Sequence, residues 1–169
     1  EFMADKLKDL IKEPNRRILV LSERISHLES LEALLKPTGC VMGYYIGGMK
    51  EQALKLTEGK KVVIATYSMA AEALDIKSLT TLIMSTPKTD IEQSVGRILR
   101  EKHSRPIVVD IIDSHTLFQN QWRKRKTFYK KENYKIIFTR SPNYIPDTSK
   151  WNVIFYPKNS SDKKTIAKK

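Results

Sequence analysis

The segment Gln93-Ser94-Val95-Gly96-Arg97-Ile98-Leu99-Arg100 carries an amide and two guanidiniums at spacings of four and three residues. On a helix that spacing puts Gln93, Arg97 and Arg100 on one face, polar where a core-facing helix would be apolar. Arginine is always ionised and presents a planar fork of donors, so two of them one turn apart form a clamp suited to a triphosphate. Gly96 lies inside the same predicted helix, where it costs about 1 kcal/mol relative to alanine; that cost fits a place where a ligand or another backbone comes close. Upstream, the apolar run 62–65 ends in Thr66 and Ser68, followed by the acidic pair Glu72 and Asp75. Ser22 and Arg24 close another apolar run and could hold a phosphate. Gly47 and Gly48 permit a tight turn or a positive φ. In the second half, Arg123, Lys124 and Lys126 stand among Trp122, Phe128 and Tyr129. Those cations could contact phosphates, and the aromatics could stack on a base, although core packing accounts for the aromatics better and a solvated helix remains the alternative for the cations. His27, His103 and His115 are scattered without a second ligand at helical spacing, so no metal site is expected.

The apolar periodicity switches repeatedly between short β-type runs and longer helical stretches. That alternation predicts an α/β fold, a mostly parallel sheet of six to seven strands with helices on both faces. Strands are expected at 17–22, 41–46, 61–66, 79–85 and 106–112, with 134–139 as an added edge strand. Helices are expected at 25–35, 49–57, 90–100 with Asp90 as N-cap, and 116–132. The run 61–66 is uniformly apolar, which places it inside the sheet. Open α/β sheets bind ligands at the C-terminal ends of their strands, where Ser22, Thr66 and Ser68 fall, and a helix N-terminus there offers backbone N–H groups to phosphate.

Taken together these residues carry a resemblance. Gln-x-x-Gly-Arg-x-x-Arg at 93–100 resembles motif VI of the superfamily 2 helicases, and Val62-Val63-Ile64-Ala65-Thr66-Tyr67-Ser68-Met69-Ala70-Ala71-Glu72-Ala73-Leu74-Asp75-Ile76 resembles motif V at the order and spacing of that family. Residues 18–35 resemble motif IV, and Tyr45-Ile46-Gly47-Gly48 the short segment that follows it. The resemblance covers roughly residues 16–140. It implies the second, RecA-like motor domain, a three-layer sandwich. In that reading Arg97 and Arg100 reach a nucleotide held by a partner domain, Arg100 most like the arginine finger, with Gln93 positioning; Glu72 and Asp75 couple the nucleotide side to motif VI; and Thr66 contacts the nucleic-acid backbone. Ala73 departs from the glycine usual in the family and puts the local backbone turn in question. The strings 66–76 and 86–93 look most like the DNA helicases of large cytoplasmic DNA viruses, of the poxvirus transcript-release type and its asfarvirus and giant-virus relatives.

No Gly-x-x-x-x-Gly-Lys-Ser/Thr segment occurs. ATP and Mg²⁺ are therefore expected to be held mainly by a separate N-terminal RecA-like domain, and this chain by itself is expected to be inactive. The net charge of +12 is uneven: residues 1–100 carry +2 and residues 101–169 carry +10. That asymmetry favours a polyanionic partner, nucleic acid, with DNA preferred over RNA in the family placement. Lone Cys40 excludes an internal disulfide, and no apolar run spans a bilayer. The chain is expected to be monomeric and intracellular, in host cytoplasm and virion if viral. Glu1-Phe2 ahead of Met3 reads as a vector-derived remnant, 3–140 as the motor domain, and 141–169 as an extension whose Lys-rich end is expected to be disordered. Two other function classes stay open: a non-catalytic basic nucleic-acid-binding module on an α/β scaffold, and a nucleotide-binding enzyme using the strand ends near Thr66.

Overall fold

A computed structural model describes residues 2–98, 100–101 and 105–158, the Arg97 side chain excepted. The alternation expected from the sequence builds a parallel sheet of β1 (Ile18–Ser22), β2 (Met42–Tyr45), β3 (Val62–Thr66), β4 (Thr81–Met84) and β5 (Ile107–Asp110), in the order β2-β3-β1-β4-β5. It has five strands, not six to seven. The segment expected as an added edge strand, β6 (Ile136–Phe138), pairs instead with β7 (Asn152–Phe155) in a separate antiparallel ribbon. Residues 141–158 thus supply β6 with the partner that the main sheet would otherwise have provided.

Both faces of the sheet are covered, which is why its inner strands read as unbroken apolar runs. Ile18, Val20, Val62, Ile64 and Ile83 point to one face, against α1 (Phe2–Lys12) and α2 (Ile25–Leu35). Leu19, Leu21, Val63, Ala65, Leu82 and Met84 point to the other. There they meet α4 (Tyr67–Glu72), α5 (Glu92–Ile98) and α6 (Thr116–Lys131) through Ala70, Val95, Ile98 and Tyr129. At the β2 edge, α3 (Glu51–Glu58) approaches closely: a Cβ on Gly43 would lie 2.8 Å from the Thr57 side chain.

Helix α1 has no counterpart in the sequence expectation, although Ala4, Leu7 and Leu10 recur on one stripe and are all buried. The C-terminal segment straps it. The Tyr144 hydroxyl donates to Asp9 at 2.6 Å, Tyr144 packs edge-on against Phe2 and Trp151, and the Lys6 ammonium lies 5.3 Å from the Trp151 ring centroid. Burial pushes the Lys6 ammonium below its ordinary pKa. No helix among the described residues is long and apolar enough to cross a membrane. Residues 159–169, expected to be disordered, lie outside the described residues.

Candidate nucleotide and nucleic-acid interface

The strand register aligns the C-terminal ends of four strands along one rim. Ser22 lies beside Thr66, Leu21 beside Met84, and Met84 beside Asp110. Loops from these ends carry most of the residues singled out by the sequence. Thr66, at the N-cap of α4, is half-buried, with its Oγ1 3.4 Å from the Oγ of exposed Ser68. Arg24, at the N-cap of α2, is exposed. Ser22 is not: it is fully buried, and its Oγ accepts from the Arg24 backbone N–H at 3.0 Å. Ser22 therefore shapes the turn that presents Arg24 and offers no surface of its own to a phosphate. Gly47 and Gly48 form the turn after β2, Gly48 at φ 81°. Only glycine adopts that conformation without strain.

The acidic pair and the arginine segment meet on the α4–α5 side. Gln93 donates from Nε2 to the Ala71 carbonyl at 3.3 Å, and Arg100 pairs through Nη1 with Asp75 Oδ1. Both contacts cross from the 93–100 segment to the 66–76 segment. Glu72 is exposed. The single-face helical arrangement expected for Gln93, Arg97 and Arg100 does not hold, because α5 ends at Ile98 and Arg100 lies in a bend beyond it. Gly96, the weakest helix former of the segment, sits in the last turn, and Asp75 holds Arg100 from outside the helical path. The Arg97 side chain falls outside the described residues. Gly96 is exposed, and beyond its own helix and chain neighbours none of the described residues comes within 4 Å of a Cβ built on it. The departure at Ala73 is harmless to the backbone: its φ of −125° asks for no left-handed conformation. Asp90 Oδ1 accepts from the Glu92 N–H at 3.4 Å, two residues before the first residue of the helix that it was expected to cap.

On α6, Arg123 and Lys124 are exposed, Arg123 donating to Asn120 at 2.9 Å, and Lys126 lies 6.0 Å from the Trp122 ring centroid. Arg125 lies in the same basic run, between Lys124 and Lys126, but it is fully buried. Its Nε and Nη2 form a fork on the two oxygens of Asp110 at 2.8 and 2.9 Å, and its Nη1 donates to the Lys88 carbonyl at 2.9 Å. Tyr129 adds a third donor to Asp110 at 3.0 Å. Burial pushes the Asp110 carboxyl up, with Arg125 opposing the shift, and pushes the Tyr129 and Tyr67 phenols up as well. The available signal was spacing: Trp122, Arg125 and Tyr129 lie three and four residues apart, on the inward stripe of α6. Among the described residues no group of three His, Cys, Asp or Glu side chains could hold a metal ion.

Comparison with known proteins agrees with this geometry. The family described as "Helicase conserved C-terminal domain" matches residues 3–102. The chain is 42% identical over 127 residues to a protein of Acanthamoeba polyphaga mimivirus named "Putative ATP-dependent RNA helicase L396", a match covering 72% of this chain and 24% of that protein. It is 34% identical over 120 residues to "Putative ATP-dependent RNA helicase QP509L" of African swine fever virus, covering 68% of this chain and 23% of that protein. The chain thus spans about a quarter of the length of these relatives. In fold it matches the E. coli DEAD-box protein SrmB with a TM-score of 0.56 at 19% identity, over 72% of this chain and 78% of that one. The matched stretch contains the whole five-strand register except β5, together with the Gln93–Ala71 contact, and the chain belongs to the helicase conserved C-terminal domain family.

Proposed function

We propose that this chain is the C-terminal half of an ATP-driven nucleic-acid motor, supplying arginine fingers and backbone-phosphate contacts while a preceding domain binds ATP. The observation that carries this reading is the Asp75–Arg100 pair, which ties the arginine segment to the strand-end loop that begins at Thr66. An exposed guanidinium held by one carboxylate is poised, not buried: Arg100 keeps 37% of its side-chain surface. When the nucleotide is brought against this face, Arg100 exchanges Asp75 for phosphate oxygens, and Arg97 joins it. Positive charge then stands where negative charge develops on the transferred phosphoryl group. Gln93, anchored on Ala71, keeps the two segments in register. ATP is substrate here. Mg²⁺ bound with it would screen its phosphates, and in this reading the ion's ligands belong to the preceding domain, since no Gly-x-x-x-x-Gly-Lys-Ser/Thr segment occurs in this sequence.

The nucleic-acid strand runs along the rim over Arg24, Gly47, Gly48, Thr66 and Ser68. The exposed Arg123 and Lys124 and the half-buried Lys126 extend that rim, since Arg125 between them anchors α6 to the end of β5. Hydroxyl and guanidinium contacts to phosphate carry no information about the sugar. Binding of both RNA, for which the viral relatives are named, and DNA, the expectation from the sequence, is predicted, with the 2′-hydroxyl as the only discriminator. The test is fluorescence anisotropy of the chain with labelled single strands of RNA and DNA across a salt series. Affinity is expected to fall steeply with salt, and Arg123→Ala and Lys124→Ala each to reduce the slope of log K against log salt by about 0.7, the value for one lost contact to a single strand. Binding indifferent to salt would remove the nucleic-acid reading. Unchanged slopes in both variants would remove α6 from the interface.

A further inference from the structure

We propose that Lys88 is a further phosphate contact on this rim, held in reserve by Glu23 until a polynucleotide strand arrives. The inference rests on the nucleic-acid reading above and adds Lys88, a residue of the β4–α5 connection to which the sequence reading gave no role. Lys88 projects from a fixed backbone, because its carbonyl accepts from Nη1 of the fully buried Arg125 at 2.9 Å. Its ammonium lies 4.4 Å from the Tyr67 ring centroid and 3.5 Å from Glu23 Oε1. Tyr67 stands between Thr66 and Ser68, and Glu23 immediately precedes Arg24. The Lys88 ammonium is therefore bracketed by two of the strand-end segments that carry the rim's other phosphate contacts, that of Arg24 and that of Thr66 and Ser68. These loops are themselves joined to the β4–α5 connection, since the Glu23 backbone N–H donates to Thr86 Oγ1 at 2.9 Å and the Tyr67 hydroxyl donates to the Thr86 carbonyl at 2.8 Å.

The pair is built to be exchanged. The Lys88 and Glu23 side chains keep 37% and 56% of their surface, and an exposed pair of this kind holds its partners weakly. A phosphate placed over the rim offers Lys88 a more highly charged partner, whereas the Glu23 carboxylate repels that phosphate. The aromatic face beneath the ammonium stays in place throughout, so Lys88 moves little between its two partners. The consequence is a sign difference: removing the lysine weakens binding, and neutralising its carboxylate partner strengthens it. A purely structural strut between two loops gives no such opposition.

The experiment is anisotropy titration of fluorescein-labelled 12-nucleotide oligouridylate and oligothymidylate with the wild-type chain, Lys88→Ala and Glu23→Gln, over a sodium chloride series. Asp5→Asn serves as the control. It makes the same charge change as Glu23→Gln, but on α1, which packs on the sheet face opposite α4 and α5. Lys88→Ala is expected to weaken binding about three- to tenfold at low salt and to lower the salt slope by about 0.7. Glu23→Gln is expected to tighten binding about two- to fivefold beyond Asp5→Asn. Circular dichroism melting confirms that the variants are folded. The inference is overturned if both variants weaken binding, or if neither departs from the control by about twofold. No salt-dependent binding by the wild-type chain overturns the nucleic-acid reading itself; wild-type binding with unmoved variants overturns only the assignment of Lys88.

Discussion

Replacing Arg100 by alanine, in this chain joined to the segment that naturally precedes it, is expected to lower nucleic-acid-stimulated ATP hydrolysis by about 10³- to 10⁵-fold, the range for a lost arginine finger. Affinity for a single strand should change by less than about twofold, since one cation off the phosphate-contacting rim contributes little to the salt-dependent term. The loss should fall mainly on kcat and less on KM for ATP, because the guanidinium interacts most strongly with the charge that develops on the transferred phosphoryl group. Arg100→Lys should rescue little: an ammonium keeps the charge but not the planar fork. Asp75→Asn should have a smaller effect, because it removes the carboxylate that orients Arg100 and leaves the finger itself. Steady-state kinetics on the three variants checks the series. Normal turnover in Arg100→Ala would remove the finger assignment, and the role would pass to Arg97.

Arg125→Ala is expected to destabilise the chain by about 3–5 kcal/mol, the range for breaking a buried ion pair from one side. The geometry puts it at the upper end. The fork on Asp110 is two-pronged, Arg125 is fully buried, and its removal also strips the Lys88 carbonyl of its donor. Asp110 would be left buried with, among the described residues, only the Tyr129 side chain donating to it. Its neighbours on the helix set the contrast: Arg123→Ala and Lys124→Ala, both exposed, should each cost less than about 0.5 kcal/mol. Urea denaturation of the three variants gives the comparison, and a double-mutant cycle with Asp110→Asn should show a coupling of about 1–3 kcal/mol. Equal stability of Arg125→Ala and Arg123→Ala would contradict the buried network.

The sequence was most legible where the apolar runs are long and buried on both sides. Residues 18–22, 62–66 and 81–84 form adjacent strands of the sheet because no other element hides so many β-branched and apolar side chains. The 66–76 and 93–100 segments were legible as a pair, and the structure joins them through Gln93–Ala71 and Arg100–Asp75. Three things were not legible, each for a physical reason. The partner of β6 is β7, and the choice between sheet edge and ribbon rests on tertiary placement that a three-residue strand does not encode. Arg125 looks like any cation in a basic helix until its spacing from Trp122 and Tyr129 is weighed above its charge. Arg100 was expected on the helix because periodicity extends as far as the motif does, whereas α5 stops at Ile98 and a long-range carboxylate fixes the arginine.

ATP hydrolysis, followed with and without single-stranded RNA or DNA, tests the central claim most directly when measured on this chain alone, on the preceding segment alone, and on the two joined. Nucleic-acid-dependent hydrolysis only when both parts are present, and its loss on Arg100→Ala, is the result predicted. Hydrolysis by this chain alone would contradict the account, and a joined protein that binds nucleic acid without hydrolysing ATP would leave a binding module in its place.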